Sequence, residues 1–336
     1  MRLDARWWLA RLGAMSLAEV AHRGVRLARA PIDRARRDRL PAHLARWRGP
    51  ATFVFTPAAA RAPLPPALRA TAEAYLVGRQ VVLGLGERAL PDPAWHAAPA
   101  AGDPRTTWEL NRGHGWVVLA RAYAATREPR FRDRLRHELD SWRRCNPVGR
   151  GLNWASAMEA AIRCHAFAWI AALLRGDAPD DTRHVLAALL FEHAGFVARN
   201  LSRYSSANNH LIVELSGLAV AGRVLAIAPW HRRALAELVR EAERQTFADG
   251  VNAEMATHYH MFVLEALLLV AWLERAHGAP VHPLERVIAR MATYLDAITL
   301  GTGEVLHQGD HDDGKILPLF EPRHAAQLLW ATSPVP

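Results

Sequence analysis

From residue 105 onward the chain is a train of eight apolar-periodic segments with only short breaks between them, and no other feature constrains the fold as much. The segments are GWVVLARAYAATRE, RFRDRLRHELDSWRR, ASAMEAAIRCHAFAWIAALLR, DTRHVLAALLFEHAGFVARNL, HLIVELSGLAVAGRVL, WHRRALAELVREAERQTF, EMATHYHMFVLEALLLVAWLERA and PLERVIARMATYLDAI. In each, apolar residues recur every three or four positions, the period of a helix with one buried face. The breaks NPVGRGLN, GDAPDD, ADGVN and HGAP are built from Gly, Pro, Asp and Asn, which end helices and begin turns. Helices joined by links this short pack antiparallel, as hairpins. Several segments are apolar on more than one face, as expected where an inner layer meets an outer one. The expected fold is all-α: a ring or arc of helical hairpins, its helix ends and loops gathered round a central cleft. It is not a consensus solenoid, because no strict short repeat is present.

Residues 1–95 read differently, as an arm or leader subdomain before a helical domain at 96–336. Arginine-rich helical patterns run from about 16 to 46, and FVF (53–55) and VVLGLG (81–86) are strand-like. After 300, LGTGEVLHQGDHDDGKILPLF has Gly-rich turns and alternating apolar residues. Little β structure is therefore expected, near 50–85 and 300–320.

The formal charge is +9, and every basic residue but Lys315 is arginine. A compositional bias toward Ala and Arg explains this, as does a polyanionic partner, since the guanidinium fork pairs well with carboxylate and sulfate. With no zinc-finger, RNP or basic-zipper signature, a nucleic-acid partner is not expected. Cys145 and Cys164 are too few for a disulfide framework and read as reduced thiols. The N-terminus MRLDARWWLARLGAMSLAEVAHRGVRLARA is charged throughout and lacks a secretory h-region. The longest apolar stretch is interrupted by Glu265 and falls short of a membrane span. The expectation is a soluble protein without membrane contact, cytoplasmic by default, with the periplasm open.

Five polar constellations stand out. TTWELNRGHGW places Trp108, Glu109, Asn111, Arg112 and His114 together; aromatic faces stack on sugar rings, and the polar groups reach hydroxyls and carboxylates. A helix start with a buried Trp and an ion pair reads equally well. In GLNWASAMEAAIR, Asn153 is a cap for the next helix, Trp154 adjoins it, and Glu159 with Arg163 forms a helix-face ion pair. In SSANNHLIVELSGLAVAG a cap explains one asparagine, but not both Asn208 and Asn209 with His210; Glu214, one turn on, should be paired. NAEMATHYHMF carries Glu254, His258, Tyr259 and His260. LHQGDHDDGK carries His307, Asp310, His311, Asp312 and Asp313, without the spacing or terminal Glu of an EF-hand. His210, Glu214, His258 and His260 are a conceivable zinc set, but no local pair has a zinc spacing. No metal or other cofactor is expected, an auxiliary divalent ion aside.

Taken in order, MSLAEVAHR, WELNRGHGWVVLARAYAATREPRFRDRL, NPVGRGLNWASAMEAAIR, NNHLIVELSGLAVAG, DGVNAEMATHYHMFVLEALL and GDHDDG resemble the heparinase II/III family of polysaccharide lyases and its alginate-lyase relatives. The resemblance covers nearly the whole chain. It implies an incomplete (α/α) toroid followed by a C-terminal β-sandwich, which this sequence is expected to lack. It implies β-elimination on a uronic-acid polysaccharide. One of Asn209 and His210 would neutralise the uronate carboxylate, and Tyr259 would be base and acid. Arg112, Glu109, Trp108, Asn111, Asn153, Trp154, His258, His260, His307 and His311 would be substrate contacts. His307 or His311 would act from the other ring face in an anti elimination. Two other readings compete: a non-catalytic acidic-glycan-binding or assembly protein, and an inverting glycoside hydrolase, which needs two carboxylates about 6.5–9.5 Å apart.

Overall fold

The computed structural model describes residues 13–35, 40–82, 86–89, 94–95, 104–175, 177, 179–310, 314–318 and 328. The helices are α1 (Leu17–Ala35), α2 (Pro57–Ala60), α3 (Pro66–Leu76), α4 (Pro104–Asn111), α5 (His114–Thr126), α6 (Pro129–Cys145), α7 (Ala157–Leu173), α8 (Asp180–Arg199), α9 (Asn209–Val224), α10 (Ala228–Arg244), α11 (Thr257–Ala276) and α12 (His282–Ala297). All eight segments read from the periodicity are helices, paired as the hairpins α5/α6, α7/α8, α9/α10 and α11/α12.

Two kinds of helix alternate, and the sequence dictates which goes where. In α7, α9 and α11 nearly every residue is buried, polar ones included. In α6, α10 and α12 burial is confined to one stripe, and arginines and glutamates fill the rest. The first kind can be stable only when covered on all sides, the second only at a surface. Accordingly α5, α7, α9 and α11 pack each on the next as an inner layer, and α6, α8, α10 and α12 form the outer one. This is an incomplete (α/α) toroid. Close inner packing needs small residues: a Cβ on Gly217 of α9 would lie 2.6 Å from the Ala161 carbonyl of α7.

The β expectations hold in part. Arg79–Val82 and Gly86–Ala89 form an antiparallel pair, β1 and β2, with Arg79 opposite Ala89 and Val82 opposite Gly86; residues 83–85 of VVLGLG lie outside the described residues. FVF is not a strand. With no strand beside them among the described residues, Phe53 and Phe55 turn their rings onto Trp169 of α7, at 5.5 and 5.2 Å. Among the described residues past 298 there is a single bridge, Thr299 to Val305. Residues of the arm, among them Leu44, Phe53, Tyr75 and Trp95, are buried in the same apolar cluster as the toroid helices.

Candidate active site

Because each hairpin reverses the chain, the inner helices run parallel and their N-terminal ends share one rim. The polar constellations of the sequence meet there: Glu109–His114 before and at the start of α5, Glu159 in the first turn of α7, Asn209 and His210 opening α9, and Tyr259 in the first turn of α11. Aligned helix N-termini carry partial positive charge and unpaired N–H groups, so such a rim favours anions.

Arg112 is the fixed cation of the rim. Its Nε and Nη2 donate to the two oxygens of Glu159 at 3.0 and 2.9 Å, and Nη1 donates to Glu109 at 2.7 Å. His114 Nδ1 lies 3.4 Å from Glu109, and its Nε2 lies 3.2 Å from the Ile316 carbonyl oxygen. The expected Glu159–Arg163 pair is not made, because Glu159 turns to Arg112. Arg163 is fully buried: it donates to the Asn153 carbonyl and to His193 Nε2 and lies over Trp142 and Trp154. Burial lowers its pKa to about 10.

The start of α9 is held by a carboxylate from a distant loop. Asn208 is the N-cap, its side chain accepting from the His210 N–H at 3.3 Å. Glu254 then takes three hydrogen bonds: from Asn208 Nδ2 at 3.1 Å, from the Asn209 N–H at 2.9 Å and from Asn209 Nδ2 at 2.9 Å. One asparagine therefore caps while the next is fixed in orientation. His210 is half-buried. Burial lowers its pKa, Glu159 and Glu254 partly offset that, and Arg112 adds to it. The same carboxylates thus shape the field at both ends of the rim. Glu214 is paired with Ser202, whose N–H and Oγ both donate to it. Ser156, Ser202, Ser205, Ser206, Asn208 and His210 line a polar cleft of about 230 Å³.

Tyr259 stands on the adjoining helix, and its hydroxyl donates to Asp310 Oδ2 at 2.9 Å. The loop bearing Asp310 is stapled to the start of α11: the Thr257 N–H donates to the Gln308 carbonyl, Thr257 Oγ1 to the Leu306 carbonyl, and the Gln308 N–H to Thr257 Oγ1. Gly309 makes that approach possible. Its φ is +76°, and a Cβ there would lie 2.8 Å from that of Ala256. His307 is exposed on this loop. His311, with Asp312 and Asp313, lies outside the described residues.

Other expected contacts sit elsewhere. Asn111 and Asn153 are fully buried. Asn111 donates to the Trp95 and Thr107 carbonyls and accepts from Trp142 Nε1 and Asn153 Nδ2, which occupies its whole amide. Asn153 does not cap α7; Ser156 holds that position. Trp154 is buried and donates to the Asn146 carbonyl, and Trp108 donates to the Leu152 carbonyl. His258 is buried with its ring stacked on Phe262. His260 faces α12, its Nε2 3.0 Å from the Met291 carbonyl oxygen, and burial lowers its pKa to about 4. The conceivable zinc set is therefore not assembled, and among the described residues no cluster of His, Cys, Asp or Glu is arranged to hold a metal. Glu254 and Asp310 in turn were not among the expected site residues. Their sequence signal was only proximity to Tyr259 and GDHDDG, since their partners lie 45 and 51 positions away.

The fold and rim define the class: an incomplete (α/α) toroid with a polar cleft at the N-terminal ends of its inner helices. The family profile described as heparinase II/III N-terminus matches residues 90–285. The chain belongs to the heparinase II/III family. A heparin-sulfate lyase of Pedobacter heparinus is 24% identical over 186 residues, which are 53% of this chain and 28% of that protein. The solved structure of heparinase III superposes with a TM-score of 0.63 at 16% identity, covering 84% of this chain and 45% of that one. Alginate lyase A1-III from Sphingomonas species A1 gives a TM-score of 0.50 at 15% identity, covering 73% of this chain and 79% of that one. The chain thus spans less than half the length of the heparinases it matches.

Proposed function

We propose that the protein is a polysaccharide lyase that cleaves a uronic-acid glycan by β-elimination. The observation that carries this reading is the Glu254 bridge. It orients Asn209 at the start of α9 from the loop that leads directly into Tyr259, so the two halves of an elimination lie on one rim. Similarity to lyases of heparin sulfate and of alginate supports the reaction class.

In this reading the glycan's uronate carboxylate sits at the helix N-termini, where Asn209 and His210 donate to it as charge builds during loss of the C5 proton. The Asn209 amide keeps one hydrogen for the substrate while the other is held by Glu254. Tyr259, its phenolic proton passed to Asp310, takes the C5 proton as the phenolate; the C5 electron pair forms the C4–C5 double bond, the C4–O4 bond breaks, and O4 leaves with a proton from Tyr259 or from a histidine on the opposite face. His260 faces the core and Arg112 is neutralised by two carboxylates, so neither supplies a free cation beside the tyrosine. Asp310 is the group that receives the phenolic hydrogen.

Incubation with a panel of uronic-acid polymers tests the proposal. Growth of near-ultraviolet absorbance from the unsaturated product is expected, and its loss in Tyr259→Phe. New reducing ends without the chromophore would make the protein a hydrolase, and binding without turnover would make it a glycan-binding protein; either overturns the proposal.

A further inference from the structure

Helix α1 is turned inside out. Ser16 caps it, its Oγ accepting from the Glu19 N–H at 3.2 Å. Leu17, Val20, Val25, Leu27 and Ile32 fall on one side, in an arc about 160° wide at 100° per residue. That side faces outward: the five are 89, 39, 50, 75 and 67% exposed. The polar side faces the protein. Glu19, 5% exposed, accepts from Ser205 Oγ at 2.5 Å and from Arg23 at 2.7 and 3.0 Å, and the His22 ring lies 5.5 Å from that of Tyr204. A helix of a soluble domain does the reverse, burying its apolar stripe.

The charges say what covers that stripe. Arg23 and Arg29 flank the apolar arc on its two sides. Residues 1–35 carry seven arginines against three acids, and Trp7 and Trp8 precede the helix. Apolar residues flanked by arginine, with tryptophan nearby, match a helix lying in the headgroup region of a bilayer, where long cationic side chains reach the phosphates. A second copy of the helix would instead bring arginine edge against arginine edge. No described helix is long and apolar enough to cross a membrane; lying in its surface is a different arrangement, which needs one apolar side and not an apolar length.

We propose that α1 docks the protein onto an anionic lipid bilayer, apolar side down. Ser205, which holds Glu19, also lines the polar cleft, so the anchor sets the cleft beside the membrane surface. The inference stands independently of the lyase reading.

Sedimentation of the full chain with vesicles tests it. The protein is expected to pellet with phosphatidylglycerol–phosphatidylcholine vesicles, weakly with phosphatidylcholine alone, and less as salt rises. Leu27→Glu with Ile32→Glu should weaken binding roughly tenfold or more, and Arg29→Glu should weaken it on anionic vesicles only. These positions are exposed, so melting temperatures should match the unmodified chain. Absence of binding to anionic vesicles, or equal binding by variants of unchanged melting temperature, overturns the proposal. So does a native dimer that the Leu27→Glu, Ile32→Glu variant converts to monomer, because the stripe is then a contact between copies.

Discussion

Two asparagine pairs read alike in the sequence and do opposite work in the structure. Asn111 and Asn153 lie beside tryptophans and arginine; Asn208 and Asn209 lie beside a histidine. At the first pair each amide is buried, and Asn111 spends all of its donors and acceptors on Trp95, Thr107, Trp142 and Asn153. At the second, Asn209 spends its N–H and one amide hydrogen on Glu254, and the rest of its amide makes no further hydrogen bond among the described residues. What distinguishes Asn111 from Asn209 is how much hydrogen-bonding capacity is left over, and that depends on partners far away in sequence.

The largest expected effect lies on the cleft side. Tyr259→Phe should lower turnover on a responsive uronate polymer by about 10²–10⁴-fold, the usual worth of a positioned acid–base group. Asn209→Ala should lower it by about 10²–10³-fold, as for loss of a donor to a developing anion. Both should leave the urea midpoint nearly unchanged. Asn111→Leu should do the converse. It strands the Trp142 N–H in the core, whereas the Asn153 amide keeps the Trp95 carbonyl and Asn146 Oδ1, so a loss of about 2 kcal/mol of stability is expected, measured by urea unfolding. Activity per folded molecule should persist. A variant at Asn111 that keeps its stability but loses turnover would erase the distinction between the two pairs.

The helical train from 105 to 298 was legible because periodicity and breakers are local, and so was the inner/outer alternation, in the contrast between all-apolar and striped segments. Asn209, His210 and Tyr259 were singled out through the resemblance, and they lie in the first turns of the neighbouring helices α9 and α11. The pairings were not legible. Glu159 has Arg163 one turn away and binds Arg112, beside the start of the neighbouring α5, instead; His260 adjoins Tyr259 but points at α12. Helical spacing says which residues share a face, not which neighbour that face meets. FVF read as a strand on propensity alone, yet a strand needs a partner edge and the described residues offer it none.

A smaller effect probes the bridge between the two sides. Glu254→Gln keeps the shape but places an amide donor against the Asn208 and Asn209 donors, so Asn209 loses its fixed orientation. Roughly a tenfold loss in kcat/KM is expected, carried by kcat, with Glu254→Asp restoring part of it. An equal loss in the glutamine and aspartate variants that follows their melting temperatures would make Glu254 structural only.

The smallest single-residue effect comes from acid and again divides scaffold from site. Burial lowers the pKa of His165 and His260 to about 4 and that of His193 well below its usual value. In the unfolded chain these imidazoles protonate near pH 6.5, so below that the unfolded state binds more protons and stability falls with falling pH. For His260 the window runs from about 6.5 down to about 4, and near pH 5.5 each such histidine costs about 1 kcal/mol. His260→Gln should flatten the dependence of the urea midpoint between pH 7 and about 5.5 by that amount. His210, half-buried at the cleft, has its pKa lowered as well, and its protonation adds a cation where the uronate carboxylate is proposed to sit. Affinity for an oligouronate should therefore rise as pH falls, while stability declines, and the rise should vanish in His210→Gln. An affinity that falls in parallel with stability would place His210 with the scaffold histidines.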